Sequence, residues 1–487
     1  MLNASGDKRR VIIIGAGFSG LCMAIRLRQA GFHSVVVLES ADDVGGTWLK
    51  NNYPNAGCDV PSYLYSFSFA TRYPWSQRYA RQPEILAYLR DCAERFGIRE
   101  NIHFQTSVQA GAFNEATGCW TVTTNNGTFE AEFLVSAVGQ LNRPHQPSFE
   151  GVDKYEGKVW HSARWNHDFE LEGKRVAVIG NGASTIQFLP SLADKAEHTT
   201  LFQRTPSWIQ PFRNDPYSSF AKAALRFIPG LPSVYRWWTF ARHDWRIIAF
   251  RQGTINREYG RRLKRQMRKL IPEDQWEQLI PGYSPGCKRI LLSNDFLQTI
   301  MRPDVSVVSD RVERLDATGI VTGENHYPVD AIVCATGFRA NELLSPIEFE
   351  GRDGLRLDDV WSGRPHAFRG IAVHGFPNLF LLYGPNTNLG HNSIVFMIES
   401  QVNYVMRCLK LASRQGHDCI EVHEDTMKRD DEEVQERLEA SIWAGDCASW
   451  YKTADGKLPN NWWGSAIGYW LRTRKPKLNE FRLWSVG

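Results

Sequence analysis

Two glycine-rich turns constrain this chain more than anything else in it. Val11-Ile12-Ile13-Ile14 runs into Gly15-Ala16-Gly17-Phe18-Ser19-Gly20, and Val176-Ala177-Val178-Ile179 runs into Gly180-Asn181-Gly182-Ala183-Ser184-Thr185. The two first glycines lie 165 residues apart. Each apolar run predicts a buried strand and each turn opens a helical pattern, the context that makes such a motif informative. In this strand–turn–helix unit a pyrophosphate rests on the helix N-terminus, against backbone that glycine lets approach. Glu39 stands 24 residues past Gly15, and Arg204 stands 24 past Gly180. That position ends the next strand and meets the adenosine ribose. A carboxylate there accepts from a free 2′-hydroxyl, whereas a guanidinium pairs with a 2′-phosphate. Opposite charges at equivalent places predict FAD at the first turn and NADPH at the second. Gly15, Gly17, Ser19, Gly20 and Glu39 are the predicted FAD contacts, and Gly180, Gly182, Ser184 and Arg204 the predicted NADP contacts. Thr185 replaces the third glycine, whose role is helix–strand packing rather than phosphate contact, so the second site should survive.

Composition narrows the class. A chain of 487 residues, 43% hydrophobic, has material for about three domains. Its net charge of +4 comes with 53 acidic residues and reads as a solvated surface, with no nucleic-acid partner expected. Nine cysteines form no CxxC pair and no metal-ligand spacing. They predict reduced thiols in a cytoplasmic protein, no metal, and no flavin-disulfide chemistry. The polar N-terminus reaches the first strand too soon for a signal peptide, and no run of 18 apolar residues predicts a transmembrane segment. Residues 220–250 mix Trp237, Trp238, Trp245, Ile247 and Ile248 with Arg226, Arg236, Arg242 and Arg246. They fit an interfacial amphipathic patch or a helical insertion over an active site, and Pro229 and Pro232 favour the insertion.

Phe133 to Gly139 and Ala331 to Gly337 both look like buried strands ending in glycine, each followed by a Pro- or Asn-bearing stretch. These mark two crossings between domains. The expected fold is α/β, with two Rossmann-like dinucleotide-binding domains, the second inserted into the first. Residues 1–142 and 340–487 would form the FAD domain, and 155–330 the NADPH domain, with a helical insertion at about 215–280. Val395 to Ala412 carries Ile398, Val402, Val405 and Leu409 on one helical stripe, with Asn392 or Ser393 as N-cap. Gly45-Gly46-Thr47-Trp48 would let backbone approach a flat ligand.

The stretch from Tyr155 to Asn166, YEGKVWHSARWN, resembles the FxGxxxHxxxW(P/D) signature of Baeyer–Villiger monooxygenases, within the flavin-containing monooxygenases. Tyr155 stands for Phe and Asn166 for Pro or Asp, while Trp165 favours the Baeyer–Villiger branch. Gly46 to Ser68, Gln203 to Pro206, Gly286 to Arg289, Ala335 to Phe338 and Gly375 to Phe380 are similar to the same family, in family order. The resemblance implies that flavin reduced by NADPH takes up O₂, and that the resulting peroxide attacks a ketone to give an ester or lactone. It also implies roles by position. Arg289 matches the active-site arginine and Asp59 the carboxylate that positions it. Lys288, with Arg204 and Thr205, matches the site of the NADP 2′-phosphate. Thr47, Trp48, Asp59, Tyr65, Val108 and Ile394 match flavin-side residues, with Ile394 at a helix N-terminus facing the ring. His161 reads as an interdomain hydrogen-bonding residue rather than a base. Oxidation of nitrogen or sulfur centres is the alternative function.

Overall fold

The computed structural model describes residues 9–445, 451–453 and 455–486. Each glycine turn seeds a parallel five-stranded sheet. In chain order the strands are β1 (Val11–Ile14), β2 (Val35–Leu38), β3 (Ile102–His103), β4 (Phe133–Ser136) and β5 (Lys158–His161). Then follow β6 (Arg175–Ile179), β7 (His198–Phe202), β8 (Val305–Val308), β9 (Ala331–Cys334) and β10 (Leu379–Leu381). The first sheet runs β10-β4-β1-β2-β3, the second β8-β7-β6-β9-β5. Since β10 follows the whole second sheet, the first is assembled from both ends of the chain and the second is an insertion within it. One boundary differs from expectation: β9 is the strand that joins β6 to β5, so the second unit continues past 330 to Cys334.

Both sheets are covered on two faces, as parallel sheets require. Val176 and Val178 of β6 pack on one side of the second sheet, and Ala177 on the other. The helices of the two turns are α1 (Phe18–Gln29) and α2 (Ala183–Ala193). The insertion supplies α3 (Ser219–Phe227), α4 (Leu231–Asp244), a 3₁₀ turn (Trp245–Phe250) and α5 (Thr254–Met267). The late helix α6 (Ile394–Arg414) buries Ile398, Val402, Val405 and Leu409 as their spacing predicts. Its N-cap is Ser393, whose hydroxyl accepts from the Val395 amide at 3.2 Å.

One face of α4 is firmly attached. Arg236 pairs with Glu399 of α6 at 2.9 Å, and both side chains are about nine-tenths buried. Phe240 meets Phe396 at 4.4 Å between ring centroids. Asp244 accepts from the Ala466 amide at 2.7 Å and from Asn392 at 3.1 Å. The insertion, the start of α6 and the tail residues Trp462 and Tyr469 thereby share one apolar cluster.

The two crossings between lobes lie side by side. His145 donates its amide to Gly337 at 2.8 Å, Arg339 donates to Arg143 at 2.9 Å, and Arg143 pairs with Glu342 at 2.6 Å. Among the described residues no helix is long and apolar enough to cross a membrane, and no group of side chains is arranged to hold a metal ion.

Candidate active site

A cleft of about 1170 Å³ opens where the two glycine turns face each other. Its wall contains Gly15, Gly17, Ser19, Glu39, Thr47, Trp48, Asp59, Tyr65, Val108 and Ile394 from the first lobe. Gly180, Gly182, Ser184, Arg204, Thr205, Lys288 and Arg289 come from the second. Of the predicted site residues only Gly20 is absent from the wall. A Cβ on Gly20 would lie 1.8 Å from the Gly15 carbonyl oxygen, so this glycine serves helix–strand contact and not the cleft. In the second turn Thr185 donates its hydroxyl to the equivalent Gly180 carbonyl at 2.7 Å, a polar substitute for that contact.

The first lobe is shaped for an extended, flat ligand. Gly15 has φ +102° and would bring a Cβ to 2.8 Å from the Ala137 oxygen. A Cβ on Gly46, also at positive φ, would stand 3.1 Å from the Gly17 Cα, so two glycine backbones touch at the cleft floor. Glu39 is buried and accepts from the Ala16 and Ala41 amides at 2.7 and 2.9 Å, tying the end of β2 to the turn. Trp48 donates to the Tyr65 hydroxyl at 3.2 Å. Burial pushes the Tyr65 hydroxyl well above its ordinary range, so it keeps its proton. Ile394 places the first turn of α6 at the wall, where the positive end of the helix dipole favours an anion.

The second lobe gathers cations. Lys288 donates to the Thr205 hydroxyl at 2.6 Å. Burial, and then repulsion from Arg204, holds its pKa below the ordinary 10.5. Among the described residues neither cation has a carboxylate within 4 Å, the pattern expected of an anion site. At Gly182 a Cβ would meet nothing within 4 Å, so the protein itself does not require a glycine there. These features fit a dinucleotide with a 2′-phosphate.

Between the lobes stands an ion pair drawn from residues 230 apart. Arg289 donates to Asp59 through Nε at 2.9 Å and through Nη2 at 2.7 and 2.6 Å. The carboxylate raises the guanidinium pKa further, so its charge is permanent. The Arg289 side chain is 40% exposed, and it is the cleft that it faces. Burial and the Asp59 charge push the neighbouring Cys58 thiol up, which keeps it protonated. Among the described residues seven cysteines are free thiols, but Cys287 is disulfide-bonded, a departure from the expected fully reduced set.

The linker signature is structural. His161 accepts from the Ala163 amide on Nδ1 at 3.1 Å, which leaves Nε2 to donate to the Gly337 carbonyl at 3.1 Å. Burial lowers its pKa, consistent with a neutral ring. Tyr155 uses its hydroxyl on the Val329 carbonyl at 2.8 Å, and Asn166 closes a small turn by accepting from Asp168 at 3.2 Å.

Several wall residues have no motif to announce them. Gln187 of α2 bonds both Gly57 backbone groups and the Tyr53 hydroxyl, docking the second lobe on the first. Tyr383, at φ +57°, donates to Asn388 at 2.9 Å, and Asn388 donates to Asn461 at 2.8 Å. The run from Gly384 to Asn392 carries the signal, a polar Gly/Pro/Asn loop too rich in side-chain donors for a plain turn.

Comparison with known proteins gives a consistent picture. Residues 12–223 match the family described as pyridine nucleotide-disulphide oxidoreductase. The four cysteines in that segment, Cys22, Cys58, Cys92 and Cys119, are all free, so the likeness lies in nucleotide binding rather than in a redox disulfide. A Baeyer-Villiger monooxygenase of Pseudomonas aeruginosa is 40% identical over 97% of this chain and 91% of that protein. Oxidized steroid monooxygenase bound to NADP superposes with a TM-score of 0.87 at 31% identity, covering 98% of this chain and all of that one. OTEMO in complex with FAD and NADP gives 0.89 at 27% identity, with the same coverage.

Proposed function

The chain belongs to the Baeyer–Villiger monooxygenases, and we propose that its cleft converts a ketone to an ester or lactone with Arg289 as the central catalytic residue. It is an FAD- and NADPH-dependent oxidoreductase. Residues 1–142 and 340–487 would form the FAD lobe, and 155–334 the NADPH lobe. Gly15, Gly17, Ser19, Glu39, Thr47, Trp48, Tyr65, Val108 and Ile394 hold FAD, while Gly180, Gly182, Ser184, Arg204, Thr205 and Lys288 hold NADPH. Reduced FAD supplies the activated oxygen that the reaction inserts from O₂. Among the described residues the seven free thiols outweigh the one disulfide-bonded cysteine, which supports a cytoplasmic setting.

The observation that carries this reading is the Arg289–Asp59 pair at the meeting of the two lobes. Negative charge must be stabilised on the activated oxygen and on the substrate carbonyl oxygen. A guanidinium suits both, because it is always charged and cannot give its proton away. Asp59 fixes the fork on one edge and leaves the other free to face the cleft. His161, tied into the lobe crossing, takes no part in proton transfer.

Arg289→Ala should abolish ester formation while FAD remains bound. Loss of one preorganised donor typically costs about a hundred- to a thousandfold, and a charged one at least that. Arg289→Lys should restore little, since an ammonium lacks the fork. The measurement is ester formed from a panel of ketones, since NADPH loss also counts uncoupled turnover. Near wild-type ester formation by Arg289→Ala, or sulfoxides from thioethers with no ester from any ketone, would overturn the proposal.

A further inference from the structure

Outside the cleft, the insertion combines two properties that rarely share one surface. Residues 219–269 hold 13 Lys and Arg against two acids, while the rest of the chain holds 44 against 51. A chain of nearly balanced charge therefore carries a net +11 on one segment and is acidic elsewhere. Among the described residues only Arg236 and Arg261 of those 13 have a carboxylate partner. The same segment supplies nine of the 14 large apolar side chains that stand exposed among the described residues. Trp237 and Trp245 are 68% and 73% exposed, and Phe220 is 83% exposed. None of these residues lines the cleft.

The exposure is imposed by the fold rather than by a loose segment. Arg236, Phe240 and Asp244 point one face of α4 inward, onto Glu399, Phe396 and Asn392. At helical spacing Val234 and Trp238 then fall on the far side, while Trp237 flanks the attached face and stands exposed at its edge. Arg242 lies against the Trp238 ring at 5.5 Å, and Arg226 against Phe227 at 5.3 Å, so cations alternate with apolar groups across the face.

We propose that the outward face of α3, α4 and the 3₁₀ turn is a docking surface for an anionic lipid bilayer. Tryptophan and aliphatic groups enter the headgroup boundary while guanidinium groups meet lipid phosphates, the arrangement of an interfacial amphipathic segment. A second copy of the chain fits less well, because a two-fold contact would press two strongly cationic faces together. A single-stranded nucleic acid could stack on the exposed tryptophans but leaves the exposed aliphatic groups of Ile228, Val234 and Ile248 in water, whereas a bilayer buries both kinds. The inference does not depend on the reaction assigned to the cleft.

FAD-loaded protein should co-sediment with mixed phosphatidylcholine–phosphatidylserine vesicles at low salt. It should do so far less at high salt or with phosphatidylcholine alone. Trp237→Asp with Trp245→Asp, and separately Arg242→Glu with Arg246→Glu, should each lower the bound fraction at least about tenfold. Flavin content and melting temperature should stay at wild-type values. Brominated lipid in those vesicles should quench the tryptophan fluorescence of the wild type, a reading that needs no variant. Wild type left in the supernatant of anionic vesicles would overturn the proposal. So would binding unchanged in both variants, preference for an oligonucleotide over vesicles, or a dimer held together by these tryptophans.

Discussion

A guanidinium gripped on two nitrogens by one carboxylate is held in angle as well as in place, and this sets the expected behaviour of Asp59. Asp59→Ala should retain FAD and slow ester formation less than Arg289→Ala does, because the charge is then misplaced rather than removed. A product assay run on both variants checks this. At the nucleotide end, Arg204→Ala removes a charge-assisted contact worth roughly 1.5–3 kcal/mol, or about ten- to a hundredfold in KM for NADPH. KM for NADH should hardly change. A pH profile adds a second check. Lys288 is cationic only below its pKa, which burial and Arg204 hold beneath the ordinary 10.5. kcat/KM for NADPH should therefore fall as pH rises, starting below the usual lysine range. In Arg204→Ala the fall should begin at higher pH, without reaching the ordinary value, since burial remains. NADH should show no such dependence. Much of this site is legible in the sequence because Glu39, Arg204 and the Lys288-Arg289 pair sit at fixed offsets in recognisable motifs. Tyr383, Asn388 and Asn461 are not legible, because their hydrogen bonds join loops that only the folded chain brings together.

The two glycine turns look alike as elements yet are constrained differently. Gly20→Ala would drive a Cβ into the Gly15 carbonyl and should prevent stable folding of the first lobe, seen as lost FAD and a lower melting temperature. Gly182→Ala has open space around it, and its φ of −77° is one that alanine adopts freely. Its stability should stay within about 1 kcal/mol of wild type, while KM for NADPH rises, because the added methyl group occupies room that only the dinucleotide needs. Equal losses of stability in both variants would defeat this distinction. The sequence shows α1 and α2 through the glycine turns that open them, α6 through its apolar stripe, and the inner strands through short apolar runs. It ends the second unit at 330 because the strand at Ala331, correctly read as a strand, is taken as the crossing itself rather than as part of either sheet. Only its pairing with β6 and β5 decides the matter.

At the scale of the molecule, Arg236 and Glu399 fasten the insertion to the first lobe. Arg236→Met leaves the Glu399 carboxylate buried with Ser68 as its remaining partner. Removing one partner of a buried pair typically costs about 3–5 kcal/mol. The expected readout is faster trypsin cleavage within 219–250, partly reversed when Glu399→Gln is added. Unchanged cleavage would show that the pair does not hold the insertion. The bonded crossings between the lobes have a different consequence. One linker would let the inserted lobe spin about the thread that carries it. Two strands joined edge to edge, through His145, Gly337, Arg143 and Arg339, make a strip that flexes across its flat side and resists torsion. Any opening of the lobe that bears Arg204, Lys288 and Arg289 would thus be a swing like a door's, with Asp59 on the frame. The ion pair at the centre of the site is also the latch.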